Sequence, residues 1–333
     1  MKICVVGAGA IGGILAFRLA AAGNDVSVVA RGAHRDAIAE RGLTMVDHLD
    51  GGRVASQPMA ASDDPAAFGH QDVVFIGLKA HAIAALLPRI ASLVGPQTML
   101  VPAINGVPWW YFQREGGPQD GLVVRSVDPL GNMHAAIDAS TIVGCVVHAA
   151  AEVREPGIVH HTGGRDFIVG EIDRSLPTPH SERIGRLAAA LRDAQLRPTI
   201  ASDIRTDVWT KLVGNLSFNP VAALTCADIG RIASSDSLRE VVRPMLVEGA
   251  AVAAAYGIRL PLTPEQRIDV ARQLGSARIS MHQDFAAHRK PEIDAIVSAV
   301  IELAERVDVP VPVTRMIHAL VRERAVREGL LER

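Results

Sequence analysis

Lys2-Ile3-Cys4-Val5-Val6-Gly7-Ala8-Gly9-Ala10-Ile11-Gly12 is the stretch on which the reading of this chain turns. Ile3, Cys4, Val5 and Val6 form an unbroken apolar run that predicts a short strand buried on both faces. The pattern G-x-G-x-x-G follows at once. Ile14, Leu15, Phe17, Leu19 and the alanines at 20–22 then predict a helix that ends at Gly23. Strand, glycine loop and helix in this order form the context in which the pattern signals dinucleotide binding. Gly7 permits the tight turn out of the strand, Gly9 lets a pyrophosphate approach the backbone, and Gly12 lets the helix pack close to the sheet. Ala8, Ala10 and Ile11 complete the loop. Its N–H groups and the positive end of the helix dipole face the phosphates.

The next strand refines the cofactor. Residues 25–30, Asp-Val-Ser-Val-Val-Ala, carry the strand pattern, and Arg31 stands at their end. An NAD site places Asp or Glu there to bind the ribose hydroxyls. Asp25 lies at the wrong end of the strand for that role. A guanidinium suits a 2′-phosphate, so the expected cofactor is NADPH/NADP+.

Working outward, residues 1–202 alternate strand-like and helix-like segments. A helix is expected over 33–41, strands over 42–46 and 53–59, a strongly apolar strand over 72–78, a helix over 81–93 and a buried strand over 98–103. This is the rhythm of a doubly wound sheet, whose ligands lie beyond the carboxyl ends of its strands. The glycine loop, Arg31, Lys79 and Asn105 all fall at such ends. From about 122 to 170 the pattern is β-rich, with strands at 142–148 and 167–171 and a turn at His160-His161-Thr162-Gly163-Gly164. The paired histidines lack a further partner at ligand spacing, so no metal is expected. Leu176-Pro177-Thr178-Pro179 reads as a loop, and Ser181 as the cap of a helix to about Ala194. From Asp203 the pattern is helical almost to the end. The expected fold is therefore α/β: a Rossmann-type, NADP-binding, doubly wound sheet domain over 1–202, followed by an all-helical substrate and catalytic domain over 203–333.

Composition narrows the function classes. The chain has 333 residues, about half of them hydrophobic, with a formal net charge of −2. No basic block points to nucleic acid and no amphipathic or long apolar segment to a membrane. Cys4, Cys145 and Cys226 are far apart in apolar contexts and read as buried thiols of a reducing compartment. Met1-Lys2 runs straight into the first strand, which leaves no room for a signal peptide and implies a cytoplasmic protein. The apolar helices at 241–255 and 293–303 fit either a domain core or a homodimer interface.

A second constellation lies in the helical part. Asp203 reads as the cap of a helix with Trp209, Leu212, Val213 and Leu216 on its apolar side. Lys211, Asn215 and Asn219 are four residues apart and form one polar stripe beside it. Asparagine is a poor helix former, and the stripe lacks the mixed charges of an ordinary solvated face. Pro220 is expected to disturb the helix there. Further on, Ser280-Met281-His282-Gln283-Asp284 precedes Lys290-Pro291-Glu292-Ile293-Asp294, with Pro291 read as the first residue of a helix and Glu292 in its first turn.

These motifs together resemble the ketopantoate reductases (2-dehydropantoate 2-reductases), from the first residues to about 320. The glycine loop and Arg31 match the family's NADP site. Lys79 and Asn105-Gly106 match cofactor and substrate positions, and Ala150 a further cofactor contact. Trp209-Thr210-Lys211-Leu212 with Asn215 and Asn219-Pro220 looks like the family's catalytic helix. Ser280 and Glu292, twelve residues apart, look like its C-terminal signature. The resemblance implies a Rossmann domain joined to a helical domain, and hydride transfer from NADPH to the ketone carbon of a small 2-oxo acid. It implies Lys211 as proton donor, with Asn215, Asn219 and Ser280 holding the substrate and Asn105 bridging cofactor and substrate. Glu292 would orient the ribose, the substrate or Lys211.

The chain departs from the family at Val107-Pro108-Trp109-Trp110-Tyr111-Phe112, where small residues are expected, and in an extra segment at about 116–132. The aromatic cluster fits packing, or a reshaped pocket mouth that favours a bulkier 2-oxo or 3-oxo acid. A non-catalytic NADP(H)-sensing module is a third reading, and it would require Lys211 and its neighbours to be vestigial.

Overall fold

The computed structural model describes residues 1–176, 181–277 and 279–332, and the chain divides into two compact units. Unit 1 comprises Met1–Ile104, Trp110–Val123 and Gly131–Ile204. Unit 2 comprises Asn105–Trp109, Val124–Leu130 and Arg205–Arg333. Two short stretches ahead of residue 203 thus belong with the helices, which a division at a single point in the sequence does not capture. The loop expected at 176–179 lies outside the described residues from 177 onward.

Unit 1 contains β1 (Lys2–Val6), β2 (Asp25–Val29), β3 (Leu43–Asp47), β4 (Arg53–Gln57), β5 (Ala60–Ser62), β6 (Val73–Ile76), β7 (Met99–Pro102), β8 (Val143–Glu155), β9 (Ile158–Glu171) and β10 (Arg197–Ile200). Its helices are α1 (Ala10–Ala21), α2 (Gly32–Arg41), α3 (Ala80–Ile83), α4 (Leu87–Ile90), α5 (Asn132–Ala136) and α6 (Glu182–Asp193). One sheet runs β5-β2-β1-β6-β7 with every pairing parallel. Apart from the exposed first residues Lys2 and Asp25, every residue of β1, β2 and β6 is buried, as in a parallel sheet covered on both faces. The register pairs Val6 with Val29 and with Ile76, so the carboxyl ends of β1, β2 and β6 lie side by side. The second sheet runs β10-β9-β3-β4, with β8 on β9.

Several expectations are corrected. The helix expected over 81–93 is broken into α3, α4 and a short 3₁₀ turn, Ala91–Leu93. Pro88, which has no N–H to donate, sits within it. His160 to Gly164 do not form the turn. They lie within β9, and the hairpin reverses at Gly157, whose φ is +80°. Ser181 stands at the N-cap of α6, but its hydroxyl donates to Glu171 Oε1 (2.5 Å) instead of capping the helix. Cys226 is exposed, while Cys4 and Cys145 are buried as expected. The paired histidines also part company. His160 stacks on His48, whereas His161 is buried beside Asp47, which also accepts from Arg18 and Arg165.

Unit 2 is helical: α7 (Ile204–Thr225), α8 (Ile229–Ser234), α9 (Asp236–Ala255), α10 (Pro264–Gln273), α11 (Ser280–Ala286), α12 (Ala299–Arg306) and α13 (Pro312–Arg327). Pro220 does not end α7, which runs through it to Thr225. Val213, Leu216, Leu246 and Val252 are among its buried apolar residues. Two carboxylates, one buried (Glu248) and one half-buried (Glu302), tie it together. Glu248 accepts from the Val313 and Thr314 N–H groups (2.9 and 2.8 Å), capping α13 where Pro312 leaves free donors. Glu302 accepts from the N–H groups of Arg125 and Ser126 (2.9 and 2.7 Å) and so anchors the extra segment. Burial alone would raise the Glu302 pKa, but those hydrogen bonds outweigh it and hold it below the usual value.

Candidate active site

Unit 1 carries a glycine-rich loop at the carboxyl end of β1. Gly7 has φ +94°, which an L side chain rarely adopts, and a Cβ at Gly12 would overlap the Gly7 carbonyl. Both glycines are therefore required for the turn and for the helix to follow it so closely. Gly9 differs: a Cβ there meets no heavy atom within 4 Å. It is the N-cap of α1, and no side chain caps that end, so the donors of the first turn have no side-chain acceptor. Open space in front of uncapped backbone donors fits a pyrophosphate.

Arg31 is exposed just beyond β2, and among the described residues its side chain has no hydrogen bond or ion pair. A guanidinium held only by solvent at that strand end fits a 2′-phosphate. Lys79 is the N-cap residue of α3, beyond β6. Ala150 is exposed on β8 opposite Gly163, where the register of the β8–β9 pair shifts on both sides of it. A bulge of this kind re-aims the strand locally. The loop, Arg31 and Lys79 thus stand at carboxyl ends of one parallel sheet, and Ala150 stands on the other.

Unit 2 gathers the second set. Lys211 Nζ donates to Asn105 Oδ1 (2.8 Å), and Asn105 Nδ2 donates to Glu292 Oε2 (3.3 Å). Residues 105, 211 and 292 thus form one hydrogen-bonded array. Lys211 and Asn105 are half-buried, and Glu292 is only 7% exposed. The sequence expectation for Glu292 needs one correction: the helix begins after it, at Ile293, and opens with a π-turn, Asp294–Ser298.

Asn215 and Asn219 follow Lys211 by one and two turns of α7. Asn219 is 3% exposed, and its Nδ2 has no hydrogen-bond partner among the described residues. An amide donor buried this way costs about 1–3 kcal/mol until an acceptor reaches it. Ser280 is exposed at the first residue of α11 and has no hydrogen bond to the array.

The aromatic departure is buried. Trp109, Trp110, Tyr111 and Phe112 are 2%, 1%, 3% and 2% exposed, with Tyr111 edge-on to Phe112. Trp110 fits against Gly144, where a Cβ would come 3.0 Å from its ring.

Sequence reasoning missed the support behind Asn105. Val107 N–H donates to the Ala295 carbonyl (2.8 Å), and a Cβ on Gly106, whose φ is +83°, would overlap that same carbonyl. The signal was present in Asn105-Gly106: glycine is the residue that allows both a left-handed turn and such close backbone approach.

A parallel sheet with this glycine loop, joined in one chain to a helical unit bearing a lysine–amide–carboxylate array, defines a dinucleotide-dependent oxidoreductase. Comparison with known proteins narrows the class. Residues 3–174 match the family model "Ketopantoate reductase PanE/ApbA", and residues 203–325 match "Ketopantoate reductase PanE/ApbA C terminal". The chain is 42% identical over 330 residues to a 2-dehydropantoate 2-reductase of Mesorhizobium japonicum, covering 99% of both chains. A family structure from Ralstonia solanacearum MolK2 superposes with a TM-score of 0.92 at 39% identity, again over 99% of each chain. The 2-dehydropantoate 2-reductase of Geobacter metallireducens GS-15 gives 0.83 at 27% identity, over 97% of this chain and 100% of that one. The chain belongs to the ketopantoate reductase family. It is an oxidoreductase acting on CH–OH groups, and the family's cofactor is NADPH. Among the described residues, no helix is long and apolar enough to cross a membrane.

Proposed function

We propose that this protein reduces 2-dehydropantoate (ketopantoate) to pantoate with NADPH. The observation that carries the reading is the Lys211–Asn105–Glu292 array, in a chain whose relatives bear that activity in their names. NADPH, when bound, supplies the hydride that reaches the ketone carbon.

The chain's own residues do the rest. The glycine loop and Arg31 hold the phosphates, with Lys79 and Ala150 as further cofactor contacts. The substrate carboxylate and hydroxyl fall to Asn215, Asn219 and Ser280, and the orphaned Asn219 Nδ2 is the donor that an incoming oxygen satisfies. As the ketone carbon gains hydride, its oxygen gains negative charge. The Lys211 ammonium stabilises that charge and donates one proton from Nζ to the oxygen, giving the neutral hydroxyl, and is reprotonated from solvent. Asn105 aims Nζ through its carbonyl, while Glu292 fixes the opposite end of the same amide. A buried carboxylate and a half-buried ammonium are costly to keep without use, which supports turnover over a vestigial sensor. The burial of Trp109 and Trp110 supports packing over a reshaped pocket mouth.

The test is NADPH oxidation with ketopantoate offered beside a panel of bulkier 2-oxo acids. Ketopantoate turning over fastest supports the reading. A bulkier acid turning over much faster would replace the substrate and keep the class.

A further inference from the structure

We propose that Ser298, held by His318, is a positioning residue for proton transfer: it fixes the π-turn Asp294–Ser298, and that turn places both partners of the Lys211 array. The inference rests on the proposed role of Lys211.

The turn touches the array at two points. Its Ala295 carbonyl accepts the Val107 N–H (2.8 Å), two residues from Asn105, and the left-handed Gly106 lies directly against that carbonyl. Its Ile296 N–H donates to the Glu292 carbonyl (3.2 Å). Asn105 and Glu292 come from stretches nearly two hundred residues apart, yet one turn of backbone seats them both. That turn is of the rare kind. The Ala299 N–H bonds back to the Asp294 carbonyl, five residues away, where an α-helix would span four. Single π-turns recur at functional sites, and they are held by their surroundings because the geometry is disfavoured on its own.

Here the surroundings are specific. Ser298 Oγ lies 3.2 Å from Asp294 Oδ1 and 2.9 Å from His318 Nε2, so one hydroxyl links the last residue of the turn to its first and to α13. A hydroxyl has one proton. Donating it to Asp294 requires His318 Nε2 to be the donor on the other side, which fixes the direction as His318 to Ser298 to Asp294. Arg322, one helical turn after His318, reaches the same Asp294 oxygen (3.6 Å). Two residues on one face of α13 therefore grip both ends of the π-turn. The charged groups facing His318 are Asp294, Arg322 and Arg315; burial together with the two arginines lowers its pKa, against the opposing pull of Asp294.

Ser298→Ala removes the link without harming the helix, since alanine is the better helix former. The expected result is a fall in kcat of about 10-fold, as a small misplacement of a catalytic group produces. The KM for NADPH and the unfolding temperature stay near wild type. Ser298→Thr keeps the hydroxyl and recovers the rate. His318→Leu reproduces the loss, and the double variant is no worse than either single one. A purely structural role would lower the unfolding temperature and leave kcat alone. Wild-type kcat in Ser298→Ala, or a Ser298→Thr variant as slow as Ser298→Ala, would overturn the inference. Lys211→Ala run in parallel separates the two claims. An inactive Lys211→Ala beside a fully active Ser298→Ala refutes the positioning role only, whereas an active Lys211→Ala refutes the proton-donor reading itself.

Discussion

Gly9→Ala separates what the fold needs from what the cofactor needs. The added methyl meets no heavy atom within 4 Å, and Gly9 has an ordinary φ of −70°. The cost to the folded protein is then the difference between glycine and alanine at an N-cap, about 1 kcal/mol, or roughly 2–4 °C in Tm. The methyl occupies the space through which a pyrophosphate reaches the first turn of α1. Losing one charge-assisted hydrogen bond there costs about 1.5–3 kcal/mol, which is roughly 10- to 150-fold in the Kd for NADPH. Fluorescence titration with NADPH, beside a thermal melt of the same sample, reads both quantities. Gly12→Ala is the contrast: its Cβ overlaps the Gly7 carbonyl, so it loses the fold along with binding. A Gly9→Ala protein that binds NADPH as tightly as wild type would refute the placement of the phosphates.

Other outcomes follow from the same geometry. Arg31→Glu raises the KM for NADPH at least ~10-fold and leaves that for NADH no worse, because only the 2′-phosphate contact is lost; equal effects on both cofactors in steady-state kinetics would contradict this. Trp110→Ala destabilises by about 3–5 kcal/mol in denaturant unfolding and leaves the order of preferred 2-oxo acids unchanged, since the ring is core; a shifted order would restore it to the pocket. Burial holds His161 and His318 below the ordinary histidine pKa of about 6.5. Below that pH the unfolded chain binds protons that the folded chain does not, so stability is full above about pH 6.5 and falls as acid is added. His161→Gln flattens this fall in pH-dependent melts, and an unchanged slope would show that His161 does not contribute.

The nucleotide-binding half was legible because its chemistry is local. A strand, three glycines and a helix start lie within a dozen residues, and each glycine is justified by a turn, an open face or a close approach that the backbone displays. The polar stripe on α7 was legible for a similar reason, since helical spacing alone aligns Lys211, Asn215 and Asn219. What joins Lys211 to Asn105 and Glu292 was not, because those contacts span 106 and 187 residues and no periodicity encodes them. Local patterns also misled. Gly163 and Gly164 read as a turn, yet they serve a bulge inside β9, whose partner β8 runs through that region. Pro291 read as the start of a regular helix, but the helix starts at Ile293 and opens with a π-turn that contacts α13 and Val107. The tryptophans looked functional because the chain has few of them, and burial gives the plainer account.

The proposed role of Lys211 as proton donor is tested most directly by kcat for ketopantoate reduction in Lys211→Ala, set beside its Kd for NADPH. The expected result is a loss of about 10²- to 10⁴-fold in kcat with the Kd unchanged, since the proposed role of Lys211 is on the substrate oxygen and not on the cofactor phosphates. A variant that binds NADPH normally and still reduces ketopantoate at the wild-type rate would contradict it.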